Sequence, residues 1–134
     1  MSTEATRTRL FLTKLQAIRG GAVVTKYNDR STSGIPDASL TWGGRTLWME
    51  FKHRKVGDVR PFAELLKDHR HAKLQAFLIW RLYHASGGRA FFILFEPDDH
   101  VSLYRVDSPY QFEFTLWWAG STDQIAQWLW RSYC

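Results

Sequence analysis

Cysteine is almost missing from this chain: its one instance, Cys134, is the last of 134 residues. No disulfide can form within one copy. The fold must therefore be held by its core, and a reducing, cytoplasmic setting is the simplest expectation. Long apolar runs are missing as well. Nothing approaches the roughly 20 residues a helix needs to cross a bilayer, and the first residues lack the apolar segment of a secretory leader, so no membrane role is expected. Prolines number four, and no repeat, low-complexity tract or linker breaks the chain. At this length one domain with a real core is expected.

Positive charge and tryptophan are plentiful. Lys and Arg outnumber Asp and Glu by 18 to 13, a formal net charge of +5. That permits a polyanionic partner without requiring one. The distribution says more: His53, Arg54, Lys55, Arg60, Lys67, His69, Arg70, His71 and Lys73 crowd one stretch. Two readings stand, a solvated loop with a helix start, or a rim that contacts phosphates. Of seven Trp, four lie at or beyond position 117, either as core or as a self-association face.

Hydrophobic periodicity predicts the elements. Residues 3–18 read as a helix with Phe11, Leu15 and Ile18 on one stripe, stopped by Gly20-Gly21. Residues 22–28 are β-branched and aromatic, a strand. Strands over 37–42 and 45–53 flank Gly43-Gly44, a two-residue hairpin signal. Residues 57–68 form a connection, irregular or a short helix. A helix over 69–85 presents Leu74, Phe77, Leu78, Leu82 and Ala85 to the core and ends at Gly87-Gly88. The run RAFFILF at 89–95 is nearly all apolar, as expected of a central strand covered on both faces. A turn at 96–99 and a strand over 100–106 follow. Residues 107–120 give no assignable pattern. Ser121 with Gln124 reads as a capping box that opens a last helix reaching about Tyr133. The order α-β-β-β-α-β-β-α makes the fold class α/β, a single domain whose mixed β-sheet is flanked by helices. The link from the third strand to RAFFILF is long enough for a parallel crossover.

Charged residues inside the hairpin need a reason. Asp37 stands six residues before Gly43 and Glu50 six after Gly44, so a simple hairpin sets them nearly opposite, with Cβ atoms about 5 Å apart. Glu50 and Lys52 are two apart in one strand and share its face. Two carboxylates that close repel unless a positive charge lies between them. Such oxygen ligands suit a hard divalent ion, Mg²⁺ or Mn²⁺, to which the Phe51 backbone carbonyl could add a ligand. An ion of this kind can acidify a bound water and orient a phosphodiester, and Lys52 could stabilise the pentacovalent phosphate. The competing reading is a cross-strand ion-pair cluster on a wet face. Against it, Leu47, Met49 and Phe51 alternate with Trp48, Glu50 and Lys52, which leaves a Trp on the charged side. Glu4 precedes Phe11 by seven residues, Leu15 by eleven and Ile18 by fourteen, so at about 100° per residue it lies on the core-facing stripe. It is either a first-turn acid complementing the helix dipole or a third carboxylate for the same metal.

Pro36-Asp37, Glu50-Phe51-Lys52, an acid on the preceding helix and the α-β-β-β-α-β order resemble the PD-(D/E)XK nuclease superfamily. Within it, SGIPD, the hairpin and KLQAFLIWRLYHASGGRAFFILF look like VRR-NUC domains and archaeal-type Holliday junction resolvases. The resemblance covers roughly residues 2–95, an αβββαβ restriction-endonuclease-like core, with about 96–134 as a C-terminal extension that adds a strand and helix. It implies metal binding by Glu4, Asp37, Glu50 and the Phe51 carbonyl, catalysis by Lys52, and a Gln75 that contacts substrate or the Lys. It also implies a homodimer, because a four-way junction has two-fold symmetry.

Other candidates are weaker. Glu96-Pro97-Asp98-Asp99 repeats the Pro-Asp pair, but no acid-x-Lys follows it. The five His show no metal-ligand spacing with a cysteine, and Ser31–Ser33 has no base partner at motif spacing. No recognition helix or zinc module is present, so contacts to DNA would be mainly to backbone and shape. The expectation is thus a Mg²⁺- or Mn²⁺-dependent DNA endonuclease, selective for branched, flapped or junction DNA. His53, Arg54, Lys55, Arg70 and Lys73 would form its DNA-binding rim. The alternative is a catalytically inactive nucleic-acid-binding or protein-interaction module that keeps the nuclease fold.

Overall fold

The computed structural model describes residues 4–27 and 35–133. Ten elements follow one another: α1 (Glu4–Ala17), β1 (Val23–Lys26), β2 (Ala38–Trp42), β3 (Arg45–His53), α2 (Phe62–Lys67), α3 (Ala72–Ala85), β4 (Ala90–Glu96), β5 (His100–Ser108), β6 (Glu113–Ser121) and α4 (Thr122–Tyr133). The six strands form one sheet in sequence order. Neighbours are antiparallel except β3 and β4, which run parallel and are bridged by α2 and α3. The fold is α/β with a mixed sheet and helices on both faces.

Local chemistry sets the hairpin. Gly43 and Gly44 have φ of 59° and 78°, the left-handed pair that matches strand twist in a two-residue turn. The turn fixes the register, Trp42 opposite Arg45, Leu40 opposite Leu47 and Ala38 opposite Met49. Its next pair is Asp37 with Glu50. Because strand side chains alternate, the register also decides which face each one meets.

Two cores result. Against one face, α1 and α4 bury Phe11, Leu15, Leu129 and Trp130 on Met49, Phe51, Ile93 and Leu103. Against the other, α2 and α3 bury Phe62, Leu66, Ala76 and Ile79 on Ala90, Phe92 and Leu94. β4 is covered on both sides, and residues 90–95 are all buried, as the unbroken apolar run predicts. The reciprocal cap on α4 forms: Ser121 N–H donates to Gln124 Oε1 at 2.9 Å and Gln124 N–H to Ser121 Oγ at 3.2 Å.

Three expectations need correction. The buried stripe of α3 is Ala72, Ala76 and Ile79, not the larger residues: Leu74 is 46% exposed, Ala85 is exposed, and Phe77, Leu78 and Leu82 are half-buried. Small side chains let the helix sit close to the sheet, and the bulkier ones pack along its flanks. The helix also begins at Ala72 rather than 69, because His71 takes a left-handed φ of 64°. Finally, the unassigned residues 107–120 supply a sixth strand, β6, whose pattern was hidden by irregular pairing with β5. Leu103 pairs with Trp118 and Tyr104 with Leu116, so Trp117 is the extra residue of a bulge and alternation breaks there.

The Trp-rich segment is divided between core and surface. Trp130 is buried, its Nε1–H donates to the Leu15 carbonyl at 2.5 Å, and its ring meets Trp42 edge-on. Trp118 and Trp128 stack on each other, half-buried. Trp117 is 41% exposed under the Arg105 guanidinium. Trp130→Ala should therefore cost about 3–5 kcal/mol in urea denaturation, and Trp117→Ala under about 1 kcal/mol.

Candidate active site

The site starts where β2 stops. Odd-numbered residues of β3 point their backbone groups toward β2, and even-numbered ones toward β4, as Trp48 N–H does to the Arg89 carbonyl and Arg54 N–H to the Phe95 carbonyl. At Phe51 the register-opposite residue is Pro36, which has no N–H to donate, so the ladder cannot continue there. Asp37 takes over: its Oδ2 accepts the Phe51 N–H at 2.8 Å. The Pro-Asp pair thus does two physical jobs. It leaves the Phe51 carbonyl without a ladder donor from position 36, and it locks a carboxylate beside Glu50.

Glu50 and Lys52 are buried, on the face that α2 and α3 cover, in line with Phe92 and Leu94 of β4. Their Oε2 and Nζ stand 3.6 Å apart. Trp48 shares this face and stacks on Tyr27, whose hydroxyl bonds Ser39 at 3.0 Å. Gln75 lies on the α3 stripe of Ala72, Ala76 and Ile79, facing the same layer. Two buried oxygens there lack hydrogen-bond partners among the described residues, Glu50 Oε1 and Gln75 Oε1. Leaving such atoms unmatched costs about 1–3 kcal/mol each, so they mark a place for a ligand, water or ion.

Burial first, and the adjoining Asp37 carboxylate second, push the Glu50 carboxyl up to about 9, while Lys52 opposes the rise. A cation between Asp37 and Glu50 would remove both penalties. The donor set fits a hard divalent ion: two carboxylates, one of them with an orphaned oxygen, and a carbonyl at a broken ladder. Among the described residues no three His, Cys, Asp or Glu side chains group closely enough to hold a metal. Glu4, the expected third acid, is the first residue of α1, but its side chain lies outside the described residues. One turn on, Arg7 donates to the carbonyl of Glu96 at 2.6 Å. The start of α1 thus lies at the sheet end where β3 and β4 finish.

The basic stretch is less uniform than its sequence. Arg54 turns inward: its Nε meets Glu96 Oε1 at 2.5 Å, and its Nη1 donates to the carbonyls of Asp58 at 3.1 Å and Arg60 at 2.7 Å. Glu96 also accepts Ser102 Oγ–H at 3.1 Å. Arg60 is paired with Asp58 and Asp68, and its side-chain and backbone hydrogen bonds to Asp58 hold that carboxyl down at about 2. Lys55, Arg70 and Lys73 are exposed, and His53 is half-exposed. His69, which the sequence places in the basic stretch but not in the five-residue rim, lies near the site: burial first and the Lys52 ammonium second lower its pKa, Asp68 opposes them, and Arg60 and Lys55 lower it further. Sequence spacing gave no signal for it, because the turn between α2 and α3 carries it to Lys52. A shallow cavity of about 630 Å³ between β6 and α4, lined by Trp118, Gln124 and Arg131, belongs to the opposite layer and takes no part in this cluster.

No family model matches the chain, and no curated protein does. Among solved structures it is similar to Hjc of Archaeoglobus fulgidus, a Holliday junction resolvase from an archaeal hyperthermophile. Identity is 16% and the TM-score 0.53, over 89% of this chain and 96% of that one. At such identity the likeness establishes the restriction-endonuclease-like fold.

The Glu50 shift has a testable consequence. In the unfolded chain this carboxyl releases its proton near 4.5, whereas the cation-free fold retains it to about 9. Between those values proton release favours unfolding, so stability in EDTA should fall by a few kcal/mol as pH rises through the window. Glu50→Gln should flatten that slope. Mn²⁺ should raise the melting temperature of the wild type more at pH 8 than at pH 6, and leave that of the variant unchanged, as scanning calorimetry would read.

Proposed function

We propose that the chain is a divalent-cation-dependent DNA endonuclease that prefers branched duplexes. The observation that carries this reading is the buried Asp37–Glu50–Lys52 cluster at the broken end of the β2–β3 ladder, with an orphaned carboxylate oxygen. The likeness in fold to a Holliday junction resolvase supports it.

Asp37, Glu50 and the Phe51 carbonyl, with Glu4, would hold Mg²⁺ or Mn²⁺. Bound there, such an ion supplies an acidified water and a counter-charge for the scissile phosphate. Lys52, buried and already poised beside Glu50, offsets charge building on the pentacovalent phosphorus and orients the attacking water. The Gln75 Oε1 is an acceptor with spare capacity for that water or for the Lys52 ammonium. Lys55, Arg70 and Lys73, with His53, carry the phosphate backbone across the rim, which offsets the acidity of the site itself. Arg54 serves this proposal as the brace of the loop after β3, since its donors are engaged within the protein. Cutting a two-fold symmetric junction calls for two active sites, so a homodimer belongs to the proposal.

The deciding experiment incubates supercoiled plasmid and a synthetic four-way junction with the protein in Mg²⁺, Mn²⁺ or EDTA. Nicks should arise with either ion and not in EDTA. Glu50→Gln and Lys52→Ala should each cut at least about 100-fold more slowly while retaining DNA binding. Wild-type protein that binds the junction yet never nicks it with either ion would overturn the reading.

A further inference from the structure

We propose that the loop after β3 is an apolar wedge, and that Val56 and Val59 seat against the unstacked base pair at a DNA branch. This rests on the DNA-cutting reading and goes beyond it by naming what selects the branch.

Val56 and Val59 are 89% and 90% exposed. Single surface valines need no explanation. These two differ in how they are held. Asp58 N–H donates to the Lys55 carbonyl at 3.1 Å, closing a turn whose third residue, Gly57, has a φ of 89°. Val56 thus sits at the turn's leading corner, and the glycine supplies the backbone shape that a side chain would strain. Asp58 Oδ1 then accepts the Arg60 N–H at 3.1 Å and its Nε–H at 3.0 Å, which leaves Val59 at the crest of a second turn. Arg54 ties the underside of both turns by donating to the carbonyls of Asp58 and Arg60, and it is itself fixed by Glu96. Pro61 follows and limits the exit. In this braced loop both valines stand clear of the protein. Valine is also stiff about χ1, so little side-chain freedom is lost on contact.

Position supplies the occupant. Val56 is four residues beyond Lys52, so the two lie at most about 14 Å apart, the length of roughly four base-pair steps. Lys55, next to Val56, and Arg60 both act electrostatically on His69, as Lys52 does, so the loop stands beside the rim and the site. An intact duplex offers this loop only stacked, unavailable base faces. At a branch the last pair of each arm has lost a stacking neighbour and presents a planar apolar face flanked by phosphates. Two rigid valines beside a lysine complement that surface, in the way apolar wedges enter unstacked base steps elsewhere.

The test uses the full chain with a Val56→Ser/Val59→Ser double variant, whose substitutions lie on the surface and leave the core intact. Binding is measured in Ca²⁺ to a four-way junction and to linear duplex of the same length. 2-Aminopurine at the branch reports unstacking. Wild type should favour the junction and raise the fluorescence. The double variant should bind the junction about tenfold more weakly, bind linear duplex unchanged, and give no fluorescence rise. Equal weakening on both DNAs, an unaltered junction preference, or a change in gel-filtration mass that points to a second copy as the occupant would each overturn the wedge. Because these readouts need no cleavage, a wedge that behaves as expected on a protein that never nicks would refute the nuclease reading alone. Absence of any DNA binding would refute both.

Discussion

A carboxylate shut away from water needs either a proton or a cation, and at Glu50 the surroundings make that choice sharp. The residue lies in mid-sheet beneath α3, with Asp37 at its side and only Lys52, 3.6 Å away, to oppose them. A well-packed apolar residue would serve stability better at this position. The group lies buried on the face that α2 and α3 cover, and its Oε1 has no hydrogen-bond partner among the described residues. Everything around the cluster follows from keeping it in place. Pro36 ends the ladder, Asp37 accepts the Phe51 N–H that the ladder leaves over, and the Gly43-Gly44 turn sets the register that makes the two acids meet.

The remainder of the chain isolates this end of the sheet. α1 and α4 cover the face that bears Met49 and Phe51, while α2 and α3 cover the face that bears Glu50 and Lys52. The last third of the chain is not an ornament on the first two-thirds. Val101, Leu103, Leu129 and Trp130 share one core with Phe11 and Phe51, and the Trp130 indole binds the backbone of α1. Rigidity there reaches the site through β4, whose buried residues pair with Glu50 and Lys52 from the other side.

What could be read in the sequence had local causes. The hairpin was legible because two glycines fix both turn and register, and with it the opposition of Asp37 and Glu50. RAFFILF was legible as a central strand because composition alone reports double burial. The α4 cap was legible because Ser121 and Gln124 contact each other within one turn. The failures were non-local. The buried side of α3 runs through alanines because the sheet is close, a distance no periodicity reveals. β6 hides behind the Trp117 bulge, which breaks the alternation on which strand reading depends. His69 reaches Lys52 through a helix–helix turn. Arg54 pairs with Glu96 because the two are level in adjacent parallel strands, and that register is set by a crossover no sequence motif records.

The fate of the basic stretch bears on what the site could do. Counted along the sequence, it is one block of positive charge. In the fold it separates into cations with internal duties and cations that face outward. Lys52 is held at the site by Glu50, Arg54 braces a loop, and Arg60 is neutralised by Asp58 and Asp68. Lys55, Lys67, Arg70 and Lys73 are exposed. Under the proposed function, four such cations would be enough to hold a phosphate backbone across an acidic site, yet too few to grip duplex DNA tightly by charge alone. Modest charge makes shape decisive, because a surface that binds every duplex strongly cannot choose among them. The braced loop and the sparse rim are therefore two sides of one arrangement. Under the proposed function, the arginine withheld from the rim is the one that stiffens the loop, so general affinity would be given up at the same point where discrimination would be built.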